Sequence, residues 1–410
     1  MTGRLLLVTP YFPPAGGSGV QRGTKFVKYL LRLGWEIEVV TIDPATYPWS
    51  DPTMAAEVAS ARVEIARLAS IPGVGHRVLR AIPAIRRKIK EAIRRFRPDV
   101  ILATHPDFHW TLVARSAVAA GIPFVLDYPD PWTVLPPGLL AFRPPANAKS
   151  RLKWALAPAA ERWCLSRAAA TVFATEPILE EYSARFPRVA STGRVITNGF
   201  DPEDFEGMSA SPPDPSERIR ISHIGSFAGP RSPLPLARAV RRAADLKGEG
   251  RLEVSLVGAL GAEARRELEE TLAPIPLSIT NWLPHREAIR EMVSSSILWL
   301  DAMAHLRSAS TGKLFEYLYS GRPVVAVAHP DSPAAALVHE FHAGRVVNAG
   351  DPETAGGALA AMIDELDGGS FVPASRDSLG AYDRRALAEE LSGLLSTVVG
   401  ANPARPRSVW

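Results

Sequence analysis

A phosphate-binding turn is predicted where a helix begins near residue 312. Ser310, Thr311 and Gly312 are small polar residues at this start, where backbone N–H groups point outward without helical partners. Lys313 places a cation beside them, and the positive end of a helix favours anions. Glu316 follows about 5 Å further along the axis, where its carboxylate could accept two ribose hydroxyls. The structural alternative is an ion pair between Glu316 and Lys313.

Two glycine-containing turns could bring the backbone close to a ligand. Gly17, Ser18 and Gly19 follow the first apolar run of the chain, and Ser226 follows a similar run in the second half. Arg231, a few residues later, could hold a phosphate with two parallel hydrogen bonds, or it could be a surface arginine at a helix start.

Candidate proton-transfer groups lie in loops that follow predicted strands. His105 and His109 come after the run 100–103, and Asp130 comes after the run 124–127. An imidazole or a carboxylate can polarise an acceptor hydroxyl. The alternative is a hydrogen-bonded surface group without a catalytic role. His305, just before the phosphate-binding turn, is a further candidate for a contact with a sugar.

The elements that position these groups form two series of short apolar strands alternating with helices. Continuous apolar strands of this kind indicate an α/β fold with parallel sheets covered on both faces. Two doubly wound domains in tandem are therefore predicted, with the carboxyl ends of both sheets facing a central cleft. The predicted strands are 5–9, 37–41, 100–103, 124–127, 171–174 and 195–197, then 218–224, 252–257, 278–281, 297–300 and 324–327.

Composition shifts predict the domain boundaries. An N-terminal domain over 1–200 is followed by a Pro-, Asp- and Ser-rich linker over 201–217. The second domain covers 218–378. A helix over 379–400 is expected to pack back toward the first domain, and 401–410 forms a tail.

Composition and charge limit the compartment and the class of protein. The 410 residues include one cysteine, Cys164, which excludes an intramolecular disulfide framework. No apolar run is long enough to cross a bilayer or to form a signal-peptide core, so a cytoplasmic location is expected. Residues 1–200 hold 26 Lys+Arg and 15 Asp+Glu, a net charge of +11, which leaves −7 for residues 201–410 of the total +4. This asymmetry suggests different partners for the two halves.

The segment 77–97 concentrates positive charge. It contains nine basic residues and one acid, Glu91, with isoleucines at helical spacing. This pattern indicates an amphipathic basic helix. It suits either peripheral contact with the anionic inner face of a membrane or a solvated helix packed on the sheet. No nucleic-acid partner is expected, because no recognised binding motif accompanies the charge.

Four stretches together resemble a retaining GT-B glycosyltransferase of family four, over nearly the whole chain. The resemblance implies a GT-B fold of two Rossmann-like domains, a UDP- or GDP-linked sugar donor on the second half, and the acceptor on the first. It implies a carbohydrate, lipid-linked or natural-product acceptor, and neither a cofactor nor a metal. The stretches are 11–14 with 16–19, 127–132, 198–201, and 313–317 closed by 321–325.

The resemblance also implies roles for individual residues. Glu316 would contact the ribose; Arg231, Lys313 and the amides near Thr311 and Gly312 would contact the phosphates; Trp282 and Leu283 would lie near the base; and Gly17, Ser18 and Gly19 would approach the diphosphate and sugar. Asp130, His105 or the leaving phosphate itself would accept the proton. The chain departs from the family pattern at Ser308, where many members carry a second glutamate, and in the loop after 124–127, which offers Asp127 and Asp130 where many members have a histidine.

Other activities fit the same residues. A nucleotide-sugar epimerase or a phosphorylase would use a similar scaffold, and a non-catalytic carbohydrate-binding subunit would tolerate Ser308. A dinucleotide oxidoreductase is disfavoured, because Arg22 stands where its fingerprint needs a third glycine.

Overall fold

The computed structural model divides the chain into two units. Unit 1 comprises residues 1–138, 143–198 and 384–410, and unit 2 comprises 139–142 and 199–383. The structure describes residues 3–44, 47, 49–66, 77–105, 107, 109–134, 148–208, 218–227, 231–308, 311–348 and 350–402. Most of the predicted linker and of the predicted tail therefore lies outside the described residues.

Unit 1 is built on a seven-stranded sheet in the order β3-β2-β1-β4-β5-β6-β7. Every neighbouring pair is parallel, as predicted from the continuous apolar runs. Its strands are β1 Arg4–Val8, β2 Glu36–Ile42, β3 Arg62–Ala66, β4 Val100–Thr104, β5 Phe124–Tyr128, β6 Ala170–Phe173 and β7 Gly193–Val195. Its helices are α1 Ser18–Arg32, α2 Pro52–Ala56, α3 Arg77–Phe96, α4 His109–Ala120, α5 Ala148–Leu165, α6 Glu176–Arg185 and α7 Pro187–Thr192, with the chain-terminal helix α14 Arg384–Gly400.

Unit 2 contains a six-stranded parallel sheet in the order β10-β9-β8-β11-β12-β13. Its strands are β8 Ile219–Ile224, β9 Leu252–Val257, β10 Leu277–Thr280, β11 Ile297–Asp301, β12 Val324–Val327 and β13 Gly344–Val347. Its α-helices are α8 Leu234–Lys247, α9 Ala262–Leu272, α10 His285–Ser294, α11 Gly312–Ser320, α12 Pro333–Glu340 and α13 Pro352–Asp367, and a short 3-10 helix covers Pro202–Phe205.

Two strands were not predicted, and both lie at sheet edges. In β3 the sequence Arg62–Ala66 alternates charged and apolar residues, because an edge strand of this sheet is only partly covered. β13 is a four-residue strand that begins with glycine and arginine. The prediction of doubly wound parallel domains is confirmed, with one more strand in each sheet than predicted.

Each sheet has a separate apolar core on each face. In unit 1, α14 lies against α1 and contributes the fully buried Leu391 and Leu395 to one of these cores. The indole Nε1 of Trp35 donates to the Ser392 hydroxyl at 2.9 Å. The last helix of the chain thus belongs structurally to unit 1.

The basic helix α3 is fixed to the sheet by ion pairs. Lys88 and Arg95 contact Glu64 on β3, and Arg95 also reaches the fully buried Glu38 on β2 at 2.6 Å. Burial raises the pKa of Glu38, and the neighbouring arginines oppose that shift. Two of the nine basic residues in this segment, Lys88 and Arg95, are therefore oriented by carboxylates of the sheet. None of the described helices is both long and apolar enough to span a membrane.

Candidate functional site

Helix α11 is fixed to the sheet by a contact midway along its length and ends at a glycine. It begins at Gly312, and its N-cap residue Thr311 makes no side-chain cap hydrogen bond. Midway along the helix, the Tyr317 hydroxyl accepts a hydrogen bond from the Ile224 amide at the end of β8, at 3.0 Å. Gly321 ends the helix in the left-handed region with φ 73°. The first-turn amides are thus fixed beside the carboxyl end of β8; Ser310 lies outside the described residues.

Lys313 reaches back over the glycine turn that follows β8. Gly225 has φ 145°, and a Cβ placed there would overlap the Lys313 ammonium. Gly258, with φ 147°, packs its own Cα against the Gly225 peptide, where a Cβ would also overlap. Both positions therefore require glycine. The first-turn amides, the ammonium group and the β8 turn converge on one point.

Lys313 lies close to a second positive charge, that of Arg231. Burial lowers the pKa of Lys313 to about 8, and the nearby Arg231 cation lowers it further in the same direction, while Glu316 and Asp301 oppose the shift. Two cations held this close together favour an anionic ligand, which would remove their repulsion.

His223 lies beneath this point and was not predicted as a site residue. It is 2% exposed, its Nδ1 lies 3.0 Å from the Trp299 carbonyl oxygen, and its ring stacks on Phe227. Its Nε2 has no hydrogen-bond partner among the described residues. Burial, with the Lys313 cation as the next cause, lowers the pKa of His223 to about 3. The imidazole is therefore neutral and adds no third positive charge.

A pocket of about 330 Å³ opens beside Arg231. Asp301 at the end of β11, His305, and Asn348 just after β13 share its wall with Arg231. Because these residues follow the carboxyl ends of parallel strands, they meet at one sheet edge, where doubly wound folds bind ligands. His305, a weak candidate from the sequence, is thus placed next to the predicted phosphate ligand Arg231.

Glu316 is buried rather than simply balancing Lys313. It is 4% exposed, and the Nε2 of His285 lies 3.7 Å from its Oε1. The same His285 Nε2 lies 2.9 Å from the Asp204 carboxylate. His285, the first residue of α10, therefore connects the short 3-10 helix to the predicted ribose ligand. This role was not predicted.

The remaining predicted donor residues of unit 2 have different surroundings. The Ser226 hydroxyl accepts a hydrogen bond from the Ala259 amide at 3.0 Å and so joins the turns after β8 and β9. Trp282 is half-buried in the segment after β10. Leu283 packs against the apolar core that also contains Leu314. Ser226 thus stabilises the turn. Of the predicted base-binding pair, Leu283 belongs to the apolar core, and Trp282 is left as the aromatic ring that could contact a base.

In unit 1, the first glycine turn meets the loop after β4. Gly17 precedes α1 with φ 107°, and Ser18 is exposed at the first helical position. A Cβ at Gly19 would lie 3.5 Å from the Tyr11 ring and 3.7 Å from the His105 Nε2. The structure therefore brings together two predicted groups, the glycine turn and His105, that are far apart in sequence.

His105 is held in an uncommon conformation. Its φ is 60°, in the left-handed region, and the Tyr11 ring packs edge-on against it with centroids 4.7 Å apart. Its Nδ1 lies 3.2 Å from the Thr104 hydroxyl. Burial lowers the pKa of His105 to about 4, so the ring is neutral at pH 7. His109 is 1% exposed, and burial lowers its pKa to about 4 as well.

Asp127 near the end of β5 and Asp130 in the loop that follows it have different environments. Asp127 is 2% exposed and accepts three hydrogen bonds from the Arg22 guanidinium, at 2.8–3.1 Å, and one from the Thr104 hydroxyl at 2.8 Å. Arg22 also donates to the carbonyl oxygens of Ile196 and Thr197. Asp127 is thus part of a buried structural pair and is not an available base, whereas Asp130 is exposed.

A second buried carboxylate supports the loop that carries Asp130. Glu161 of α5 is fully buried and accepts hydrogen bonds from Tyr128 at 3.0 Å, Tyr182 at 2.7 Å and the Thr133 hydroxyl. The Tyr182 hydroxyl in turn accepts from the Trp132 amide at 2.8 Å. Glu161 therefore fixes both sides of residue 132, a role that the sequence did not indicate.

Comparison with known proteins supports the resemblance drawn from the motifs. Residues 18–204 match the model of Glycosyltransferase Family 4. The chain has the GT-B fold. Sucrose-phosphate synthase from Thermosynechococcus elongatus aligns with TM-score 0.68 and 15% identity, covering 97% of this chain and 99% of that one. A glycosyltransferase from Rickettsia africae ESF-5 aligns with TM-score 0.61 and 13% identity, covering 98% and 97%.

The same fold also appears in an enzyme of another class. UDP-GlcNAc 2-epimerase from Neisseria meningitidis, bound to UDP-GlcNAc, aligns with TM-score 0.58 and 12% identity, covering 96% of this chain and 100% of that one. No curated protein matches the sequence. At these identities the structural likeness establishes the fold, and the activity must be argued from the site.

Proposed function

We propose that this protein is a retaining glycosyltransferase that uses a nucleoside-diphosphate sugar as donor. The observation that carries the proposal is the Lys313 ammonium on the Gly225 turn, at the start of α11 and close enough to Arg231 for the two cations to repel each other. A diphosphate placed there would receive two cations and backbone N–H groups at once. Glu316, buried one turn along the helix, would take the ribose hydroxyls. The match of residues 18–204 to Glycosyltransferase Family 4 favours transfer over epimerisation.

In the proposed reaction the acceptor oxygen forms a bond to the anomeric carbon on the face from which the diphosphate leaves. The bond between that carbon and the diphosphate oxygen breaks, and its electron pair goes to the leaving group. Lys313, Arg231 and the helix amides stabilise the charge that develops there, which is commonly the largest catalytic term. In this proposal the side-chain cations fill the role that a metal ion has in other transferases.

The acceptor proton goes either to the leaving phosphate or to a base of unit 1. His105 suits this role because it is neutral and lies beside the Gly19 turn. Asp130 is the alternative, since it is exposed on a loop fixed by Glu161. The variants His105→Ala and Asp130→Asn distinguish the two bases. The base is the residue whose replacement abolishes turnover while donor affinity is kept.

An anionic acceptor, or an anionic membrane that presents it, is proposed for unit 1. On α3 the exposed Arg86, Lys90 and Arg94 are spaced by four residues and form one cationic stripe, whereas Lys88 and Arg95 are paired with carboxylates of the sheet. Sedimentation with anionic and with neutral vesicles tests the membrane version. Binding to anionic vesicles but not to neutral ones would support the membrane version, provided that salt weakens it and that replacing all three stripe residues by glutamate abolishes it. If the protein does not sediment with either kind of vesicle, the proposed acceptor is a free anion.

Binding and turnover of the donor test the central proposal. A thermal-shift panel of uridine, guanosine, adenosine and thymidine diphosphates identifies the base, since a ligand that binds the native state raises the melting temperature. The matching nucleotide sugars are then incubated with the protein, and the products are analysed by mass spectrometry. Sugar transferred to an acceptor or to water with release of the diphosphate is expected. An epimerised nucleotide sugar would instead favour the epimerase, and the absence of any diphosphate binding would refute a donor site.

A further inference from the structure

A pocket of about 530 Å³ lies in unit 2 at the opposite end of α11 from the proposed donor site. It forms where α11 ends and β12 begins, and the segment after α13 closes its other side. Because α11 has nine residues, the two sites are about 13 Å apart along the helix axis. The proposed glycosyl transfer makes no use of this pocket.

The wall of the pocket contains a buried cation that lacks a counter-ion. Arg322 is 8% exposed, and its Nε and Nη2 donate to the Val293 carbonyl oxygen at 2.9 and 2.6 Å. Within the described residues no carboxylate lies within ion-pair distance of it, and burial lowers its pKa. Burying a charge without an opposite charge is unfavourable unless a ligand supplies one.

A second cation faces the same space. The Arg376 guanidinium carbon lies 4.7 Å from the centre of the Tyr319 ring, and no carboxylate among the described residues pairs with it. Glu365, a carboxylate of the lining, is already paired with Arg345. The pocket is therefore lined by one buried guanidinium, Arg322, and one exposed guanidinium, Arg376, and Glu365 of its lining is engaged elsewhere.

Apolar groups make up the rest of the wall. Leu366, Phe371 and Pro373 lie around the two arginines, together with the Tyr319 ring. We propose that this pocket binds a small organic anion, with a carboxylate or phosphate group on the arginines and an apolar or aromatic body on these side chains. Guanidinium groups bind both kinds of anion with paired hydrogen bonds.

Ligand-observed NMR with benzoate, phenyl phosphate and uncharged benzyl alcohol tests this proposal on the full-length protein. Saturation transfer to both anions and none to benzyl alcohol is expected. Arg376→Gln should weaken anion binding about tenfold, because it removes a charged hydrogen-bond partner. Arg266→Gln, at an exposed arginine of α9, is the matched control and should bind as the wild type does.

The proposed donor site could also attract these anions, so Lys313→Met is measured in parallel. Anion binding that persists in Lys313→Met and falls in Arg376→Gln would assign the signal to this pocket. Binding that falls only in Lys313→Met, equal binding of benzyl alcohol, or no anion binding by the wild type would overturn the proposal. Because the two variants report on separate sites, failure here is distinguishable from failure of the proposed transferase.

Discussion

Replacing Lys313 by methionine should change both the stability of the empty protein and its affinity for a diphosphate, in opposite directions. The substitution keeps the length of the side chain and removes its charge. The difference between the ordinary lysine pKa of 10.5 and about 8 corresponds to at most about 3 kcal/mol of cost for holding the charge in the empty site. A bound diphosphate would recover that cost, since its negative charge lies between the two cations.

The sign of the pH dependence follows from the direction of this shift. The folded pKa of Lys313 is lowered, so the unfolded chain binds the proton more tightly. The cost is therefore fully present below about pH 8 and disappears as the pH rises toward 10.5. Diphosphate affinity runs the other way: it requires the charged lysine and should fall as the pH rises through about 8.

Differential scanning fluorimetry at pH 7 and calorimetric titration of the diphosphate between pH 6.5 and 9.5 measure both effects. Lys313→Met should melt above the wild type without ligand. With its donor it should lose turnover by about 30- to 1000-fold, equivalent to about 2–4 kcal/mol. Arg266→Ala should change neither quantity. If Lys313→Met kept the wild-type donor affinity, and that affinity still fell near pH 8, the lysine would not be part of the site.

Three further predictions concern groups that position this site or its scaffold. Glu316→Gln and His285→Ala should each reduce the preference for a ribose over a 2′-deoxyribose diphosphate, measured calorimetrically, while leaving inorganic pyrophosphate affinity unchanged; an unchanged preference would separate them from the ribose. Gly225→Ala should weaken pyrophosphate binding more than tenfold because its methyl group displaces the Lys313 ammonium, and a variant that binds normally would disprove that close approach. Asp127→Ala should lower the free energy of unfolding by about 3–5 kcal/mol in denaturant titrations, because Arg22 would remain buried without its partner; a loss below 1 kcal/mol would contradict a buried pair.

The sheets could be predicted from sequence where burial on both faces demands continuous apolar runs. The central strands β1, β4, β8 and β11 satisfy that condition, and each was found within a residue or two. The edge strands β3 and β13 do not satisfy it, since solvent on one side permits Arg62, Glu64 and Arg345. Sequence patterns therefore predicted the topology of the sheets but not the number of strands in each.

The candidate donor site could be proposed from the sequence only where its residues are neighbours in the chain. Thr311, Gly312 and Lys313 are consecutive, so helix physics alone suggested an anion site at their position. In contrast, Arg22 and Asp127 are 105 residues apart, and His285 and Asp204 are 81 apart. No spacing rule connects such pairs. The buried pair of Arg22 and Asp127 was therefore not predicted.

The arrangement around α11 shows how a repulsive site can persist in a folded protein. The Arg231 cation lowers the pKa of Lys313, and repulsion between the two charges would by itself move them apart. The Tyr317–Ile224 hydrogen bond fixes the helix to β8. Because Gly225 has no side chain, the Lys313 ammonium has room to lie against the backbone there. His223 remains neutral beneath them. The scaffold rather than the ligand bears the cost of bringing the cations together. In the proposed reaction the site would therefore need little reorganisation as negative charge develops, which is the condition under which electrostatic stabilisation accelerates a reaction most.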